Sequence, residues 1–240
     1  MSLAGTYRHP AMATYVLLHG AGSDSWYWHR VVPLLEELNH EVVAVDLPTG
    51  DDTAGFSEYA DLVVEAVGSR RDLILVAQSM AGFTAPIVCT RVPVALLVLV
   101  AAMVPCPGES GGDWWANTGQ DDAMRTKARQ DGRVIGDEFD PVDLFLHDLP
   151  PDVMAEALER GQEQSGTPFE TPWPLAAWPD VPTRFLLCRD DRFFPAEFLR
   201  TVVRERLGIV PDEMVGGHLP ALAHPAELVD LLEGYRTELA

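Results

Sequence analysis

Short apolar runs alternate with longer amphipathic segments along most of this chain, and this alternation limits the folds open to it. The runs consist mainly of Val, Leu and Ile without polar alternation, as expected for strands that are buried on both faces. They lie at 15–18, 42–45, 73–77, 94–101, 185–188 and, more weakly, 209–215. Helical patterns occur at 28–38, 57–67, 80–91, 198–207 and 224–239. The pattern predicts an α/β protein with a doubly wound, mostly parallel sheet.

The alternation fails between residues 103 and 182. Clusters of Pro and Gly there separate short helical patterns at 120–130, 141–147 and 152–162. Doubly wound sheets bind ligands outside the carboxyl ends of their strands, so an insertion after such an end should overhang the site. We therefore expect one domain over 1–240, with a helical cap insertion at 103–182.

Charge and cysteine usage narrow the possible partners and compartments. The formal net charge is −20, from 17 Lys and Arg against 37 Asp and Glu, which argues against a nucleic-acid partner. No apolar stretch reaches the roughly 18 residues of a membrane span, so we expect no membrane association. Cys89, Cys106 and Cys188 are odd in number and widely spaced, which predicts free thiols in a reducing compartment, with the cytoplasm as the default.

One pentapeptide has the sequence context of a nucleophile elbow. The segment Ala77-Gln78-Ser79-Met80-Ala81 follows an apolar run and opens a helical pattern. Small residues two positions before and after the serine let strand and helix approach closely, and the sharp turn then lifts the hydroxyl to the top of the sheet. Both positions are alanine here, whereas the best-known form has glycine. A plain serine N-cap is the alternative interpretation.

A glycine-rich segment after the first strand supports the nucleophilic interpretation. His19-Gly20-Ala21-Gly22 lies where such a sheet places the loop that supplies an oxyanion-hole amide. Two fixed backbone N–H groups can stabilise the negative charge that develops on a carbonyl oxygen during acyl transfer. We predict the amides of Ala21 and Met80 as these donors. No phosphate loop is indicated, because no Gly-Lys-Ser/Thr follows.

A serine nucleophile needs a base, and two late histidines are candidates. His218 follows Gly216 and Gly217 after the last weak strand, and the glycines leave room for an imidazole that points back across the sheet. His224 stands beside Pro225 at a helix start, a position more typical of a capping or surface residue. We favour His218 over His224.

An orienting carboxylate should follow the apolar run at 185–188. The tetrad Arg189-Asp190-Asp191-Arg192 offers two candidates at that point. We prefer Asp191, and expect Asp190 to cap the turn or to pair with a neighbouring arginine.

Further motifs strengthen the assignment to one family. They are Trp26-Tyr27-Trp28, Val31-Val32-Pro33-Leu34-Leu35, His40-Glu41-Val42, Asp46-Leu47-Pro48, His218-Leu219-Pro220 and His224-Pro225-Ala226-Glu227-Leu228. From residue 15 to the last helix the chain resembles the α/β-hydrolase superfamily. More narrowly, it resembles the plant methylesterase and hydroxynitrile lyase subgroup and its bacterial esterase relatives. The resemblance implies an α/β-hydrolase fold, a Ser, acid, His order along the chain, and no metal or organic cofactor.

The resemblance also bears on the acid and on the reaction. The family's acid stands four residues before a proline, and Pro195 has that offset from Asp191. The subgroup's lyases depend on a threonine in the first oxyanion segment and a lysine after the catalytic histidine, where this chain has Gly20 and Leu219. Epoxide hydrolases and haloalkane dehalogenases of this fold use an aspartate at the position of Ser79. These departures favour ester hydrolysis.

We therefore predict a serine hydrolase that cleaves small hydrophobic or aromatic carboxylic esters through an acyl-enzyme. The aromatic and apolar residues expected in the cap suit an uncharged ligand, although they could equally form the cap's own core. They are Trp114, Trp115, Phe139, Phe145, Leu146, Met154, Trp173 and Trp178. Of these, we expect Trp114, Trp115 and Phe145 to bind substrate, together with Gly20 and Trp26. A non-hydrolytic tailoring enzyme (a cyclase, lyase or haloperoxidase-like protein) and a ligand receptor are the alternatives.

Overall fold

The computed structural model describes residues 12–134, 136 and 140–239, and within these ranges it contains a six-stranded parallel sheet. The strands are β1 Thr14–Leu18, β2 Glu41–Val45, β3 Leu73–Gln78, β4 Val94–Val100, β5 Thr183–Cys188 and β6 Asp212–Met214. Their order across the sheet is β2-β1-β3-β4-β5-β6, and every neighbouring pair is parallel. The predicted doubly wound fold is confirmed.

Two separate apolar layers explain why the strands lack polar alternation. In β1, Val16 and Leu18 face one layer, whereas Tyr15 and Leu17 face the other, and all four are fully buried. Successive side chains of a strand point to opposite faces, so both sets must be apolar when helices cover both faces.

Helices flank the sheet on these two layers. They are α1 Val32–Glu37, α2 Phe56–Val67, α3 Ala81–Cys89, α8 Ala196–Leu207, α9 Pro220–Ala223 and α10 Pro225–Glu238. Side chains of α2, α3 and α8 belong to one layer, and those of α1 and α10 to the other.

The prediction of a single helix at 28–38 is wrong. A 3-10 helix at Ser25–Trp28 is followed by a separate α1, which begins at Val32 with Pro33 in its first turn. Proline has no N–H for a helical hydrogen bond and clashes with the preceding turn, so it is tolerated at a helix start but not in the interior.

The segment between β4 and β5 contains helices α4 Gly111–Thr118, α5 Gln120–Gln130, α6 Pro151–Glu159 and α7 Thr167–Glu170, with a π-helix at Val142–Leu146. The pattern at 120–130 matches α5, whereas α4 was not predicted. The sequence signal for the start of α4 is a capping box, in which Ser110 and Asp113 exchange hydrogen bonds. We refer to residues 103–182 as the cap segment, and its being an inserted cap within one domain stays a prediction.

Candidate active site

Ser79 lies in a strained turn between β3 and α3. Its φ is 53°, in the left-handed region that residues other than glycine rarely adopt. Three backbone hydrogen bonds hold the turn: Ser79 N–H donates to the Val100 carbonyl at 3.2 Å, and the Ser79 carbonyl accepts from Gly82 at 3.1 Å and Met103 at 3.0 Å. The serine hydroxyl is thereby held at the carboxyl end of the sheet.

Close approach of neighbouring backbones requires small residues around this turn. A Cβ on Gly82 would lie 1.9 Å from the Met103 carbonyl oxygen, and a Cβ on Gly20 would lie 2.9 Å from the Cβ of Ser79. The flanking residues Ala77 and Ala81 are buried. Gly82 was not singled out from the sequence, although it stands one position beyond the predicted small residue.

His218 connects Ser79 to a buried carboxylate. Its Nε2 lies 3.0 Å from Ser79 Oγ, and its Nδ1 lies 2.7 Å from Asp191 Oδ2. Asp191 has no exposed surface, and His218 is 2% exposed. The buried Asp191 carboxylate accepts a hydrogen bond from His218 Nδ1, so Nδ1 carries the ring proton. The lone pair of Nε2 is therefore available to accept the serine proton.

Backbone donors orient Asp191, and its neighbour has a different role. Asp191 Oδ1 accepts hydrogen bonds from the amides of Phe193 and Phe194, each at 2.8 Å. Asp190 Oδ2 accepts instead from the Gly216 amide at 3.1 Å. The structure therefore brings Asp191, and not Asp190, to His218.

The competing histidine lies elsewhere. His224 is the residue before α10, and its Nε2 is 3.8 Å from Asp148 Oδ2. Its side chain is partly exposed.

His19 fixes the glycine-rich loop after β1. Its Nε2 accepts from the Leu47 amide at 3.0 Å, so its Nδ1–H donates to the Gly20 carbonyl at 2.8 Å. Desolvation by burial lowers the pKa of His19, and the ring stays neutral in this role. The loop is thus tied to the end of β2 on one side and lies against Ser79 on the other.

A cavity of about 510 Å³ opens above Ser79 and His218. Of the residues predicted for the site, Ala21, Met80, Trp26, Trp115 and Phe145 line it. Leu146 lines it too, whereas Phe139 lies outside the described residues. Its lining also includes residues that sequence reasoning missed, among them Tyr27, Gln78 and Phe193.

Two residues predicted to bind substrate are not among the described residues that line the cavity. Trp114 is fully buried in the core, where its Nε1–H donates to the Val104 carbonyl at 3.1 Å. The adjacent Trp115 faces the cavity instead, because neighbouring residues of a helix point about 100° apart. Gly20 is not among the described cavity-lining residues, and it packs against Gln78 and Ser79.

Three aromatic rings surround the His218 imidazole. The rings of Phe145 and Phe193 each lie with their centroids 5.2 Å from that of His218, and the Phe194 ring lies at 5.0 Å. The sequence signal for Phe193 and Phe194 was their place two and three residues after Asp191, whose side chain accepts hydrogen bonds from their amides. These rings restrict the access of water to the imidazole.

In the described part of the chain, no three His, Cys, Asp or Glu side chains converge as a metal site requires. No helix within the same ranges has the length and apolar character needed to cross a membrane.

Comparison with known proteins places the chain in a family. A model of the alpha/beta hydrolase family matches residues 15–231. The fold and this match establish that the chain belongs to the α/β-hydrolase family.

Individual relatives agree with this placement. Norfluorocurarine synthase 1 from a Strychnos species is 24% identical over 91% of this chain and 93% of its own length. Methylesterase 1 of Arabidopsis thaliana is 26% identical over 90% of this chain and 93% of its own. The crystal structure of polyneuridine aldehyde esterase superposes with a TM-score of 0.74 at 20% identity, over 94% of this chain and 99% of that one. At this identity, the structural likeness concerns the fold.

Proposed function

We propose that this protein is a serine-dependent carboxylic-ester hydrolase. The observation that carries the proposal is the continuous hydrogen-bonded line from Ser79 Oγ through His218 to Asp191. Relatives that are named as esterases at 23–27% identity over most of the chain support the reaction class.

The proposed reaction has two acyl-transfer steps. His218 Nε2 accepts the Ser79 proton as Oγ attacks the ester carbonyl carbon, and the negative charge passes to the carbonyl oxygen. Collapse of this intermediate breaks the bond to the alcohol oxygen, which takes the proton from His218. Water then repeats the sequence on the acyl-enzyme and releases the acid and the free serine.

Two backbone amides are proposed to hold the oxyanion. Ala21 and Met80 both line the cavity beside Ser79, one from the loop after β1 and the other at the start of α3. Because His19 and the strained elbow hold these two segments, the donors need little reorganisation as charge develops. No metal or organic cofactor enters this mechanism.

The lining of the cavity supports small hydrophobic or aromatic esters as substrates. Trp26, Trp115, Phe145 and Phe193 contribute aromatic surface. Arg160 is the one Lys, Arg, Asp or Glu side chain among the described lining residues. An uncharged ester loses little hydration free energy on entering such a site.

The cysteines and the net charge bear on the compartment and the partners of this protein. We propose a reducing, cytoplasmic compartment, supported by Cys89, Cys106 and Cys188, whose thiols are all free. A small-molecule ester is the proposed partner, and the net charge of −20 disfavours nucleic acid.

Hydrolysis of p-nitrophenyl acetate and butyrate tests the function. We expect turnover by the parent protein and a fall in kcat/KM of at least about a thousandfold for Ser79→Ala, because no nucleophile remains. The variant should retain its melting temperature. Equal turnover by the two proteins would exclude the proposal.

A tailoring reaction without hydrolysis is the second candidate, favoured by the similarity to a relative named as a synthase. A fluorophosphonate separates the two, since it labels an activated serine whatever the natural substrate. Stoichiometric labelling of Ser79, with no turnover across an ester library, would favour the tailoring enzyme.

A further inference from the structure

The loop that carries the base has little structure of its own. It connects β6, which ends at Met214, to α9, which begins at Pro220. Gly216 and Gly217 precede His218 in this loop, and Gly216 has a φ of 111°. Glycine pays a large conformational entropy when it is ordered, so the position of the imidazole depends on what holds the two glycines.

Carboxylates from two different segments of the chain hold the two glycine amides. The Gly216 amide donates to Asp190 Oδ2 at 3.1 Å, and this contact comes from the loop after β5. The Gly217 amide, which directly precedes His218, donates to Asp148 Oδ2 at 2.6 Å. Asp148 belongs to the cap segment, two residues beyond the π-helix. The cap segment therefore reaches the base through one charge-assisted hydrogen bond.

Packing around Asp148 fits a positioning role. Its side chain is 17% exposed, and the same Oδ2 lies 3.8 Å from His224 Nε2, at the far end of α9. A Cβ on Gly217 would lie 2.9 Å from Asp148 Oδ1 and 2.8 Å from His147 Nε2, so the close approach depends on glycine. Asp148 thus contacts the chain on both sides of His218.

A third contact holds the backbone of His218 itself. Gln78 Nε2–H donates to the carbonyl oxygen of His218 at 3.0 Å. The backbone of His218 is then held by β3 through Gln78 and, one residue earlier, by the cap segment through Asp148. Loss of either contact should let the imidazole move relative to Ser79 Oγ.

We propose that Asp148 is a positioning residue for His218, through which the cap segment sets the alignment of the base with Ser79. This inference rests on the proposed function, in that His218 must act as a base. Misplacement of a catalytic group by about 1 Å can cost on the order of a hundredfold in rate. Alignment affects the chemical step more than substrate binding, so the loss should appear in kcat.

Substitutions that remove or retain the acceptor test this role. For Asp148→Ala we expect kcat on p-nitrophenyl acetate to fall at least about tenfold, with KM within about twofold of the parent. Asp148→Asn can still accept from the Gly217 amide and should restore kcat to within about threefold. If Asp148→Ala does not fold, Asp148→Ser, which cannot reach the amide, takes its place in the comparison and should show the same fall in kcat. Asp152→Ala removes an equal charge from an exposed position of the cap segment and should match the parent.

A spectroscopic readout keeps this test separate from the proposed function. The Nδ1 proton of His218, shared with Asp191, should give a downfield NMR resonance in the parent and in Asp148→Asn, and this resonance should broaden or vanish in Asp148→Ala. The rate of Ser79 labelling by a fluorophosphonate should follow the same order.

Two results would overturn the role of Asp148: kcat of the alanine variant within twofold of the parent, or an equal loss in Asp148→Asn. A parent that neither turns over esters nor labels at Ser79 would defeat the proposed function instead. The NMR comparison would then still decide whether Asp148 holds the His218 loop.

Discussion

Ser79 adopts a left-handed conformation that costs a residue with a Cβ about 1–2 kcal/mol. The cost is offset by the hydrogen bonds that its amide and carbonyl make to Val100, Gly82 and Met103. Strain of this kind persists only where the surroundings determine the conformation, and here it aims the hydroxyl at His218 Nε2.

Substitution of the two neighbouring aspartates should separate their roles. In Asp191→Asn the amide NH₂ would face His218 Nδ1 and force the proton onto Nε2, which then cannot accept from Ser79. We expect kcat to fall by roughly 10⁴ with little change in KM. Asp190→Asn still accepts from the Gly216 amide and should stay within about threefold of the parent. Steady-state kinetics on p-nitrophenyl butyrate would measure both, and comparable losses would contradict the assignment of Asp191.

Local sequence does not separate Asp191 from Asp190 as the partner of His218. Both follow the same strand, and their residue types are identical. The offset to Pro195 favoured Asp191 only through a family resemblance. The direction of each side chain depends on the turn that follows β5, where the amides of Phe193 and Phe194 bind Asp191 Oδ1.

At the scale of elements, the packing of α3 against the segment after β4 builds the elbow. Gly82 lies in the first turn of α3, and the Met103 carbonyl occupies the space that a side chain would need. Met103 in turn donates its amide to the Ser79 carbonyl, so α3, the segment after β4 and the turn at Ser79 are joined by backbone contacts.

Gly82→Ala should therefore lower both stability and activity. The added methyl would displace backbone rather than a flexible side chain, and we expect a loss of about 3 kcal/mol in the free energy of unfolding. Gly234→Ala is the matched control: it lies exposed in α10 with nothing within 4 Å of its Cβ, so alanine should stabilise by about 0.5–1 kcal/mol. Urea denaturation would measure both, and an unchanged midpoint for Gly82→Ala would refute the packing argument.

In the cap segment, sequence patterns predict one helix correctly but not the direction of its neighbour's side chains. The pattern at 120–130 predicted α5 because its caps and periodicity are local signals. In α4, by contrast, Trp114 and Trp115 are chemically identical neighbours, and only the docking of the helix decides which one enters the core. The cap's aromatic character was predictable, but the residues that line the cavity were not.

Across the whole molecule, polar contacts connect the cap segment to the loops and helices that surround the sheet. Glu109 is buried and forms a two-point ion pair with Arg206 of α8, at 2.5 and 3.0 Å. Ser165 donates its amide to the Thr49 carbonyl and its hydroxyl to Asp52. Together with the contact from Asp148, these bonds attach the cap segment to the rest of the described chain.

The ion pair of Glu109 should make the stability of the protein depend on pH. Burial raises the pKa of Glu109, but hydrogen bonds from Arg206, Asn117 and the Cys106 amide outweigh it, and the net pKa lies below its ordinary value of 4.5. A lowered folded-state pKa means that the stabilisation is complete above the unfolded value and is lost as the pH falls through the folded value. Acidification below about pH 4.5 should therefore weaken the attachment of the cap segment.

Unfolding by urea between pH 6.5 and 3.5 would measure this effect. Glu109→Gln should cost about 3 kcal/mol at pH 6.5, because Arg206 loses its partner, and the difference from the parent should shrink as the pH falls. Glu197→Gln breaks an exposed pair with Arg200 and should change stability by less than about 0.5 kcal/mol. A difference between parent and Glu109→Gln that is constant with pH would contradict the assignment.

Local patterns in the chain were enough to predict the parallel sheet, the elbow at Ser79 and the loop at His19 to Gly22. Hydrophobic periodicity and turn chemistry act over a few residues, so they can be read along the chain. Which aspartate meets His218, which tryptophan faces the cavity, and the contact of Asp148 with the Gly217 amide were decided by the tertiary structure. These features depend on side-chain directions and on contacts between distant segments, 69 residues apart in the case of Asp148 and Gly217, which are set only when both layers and the cap segment pack together.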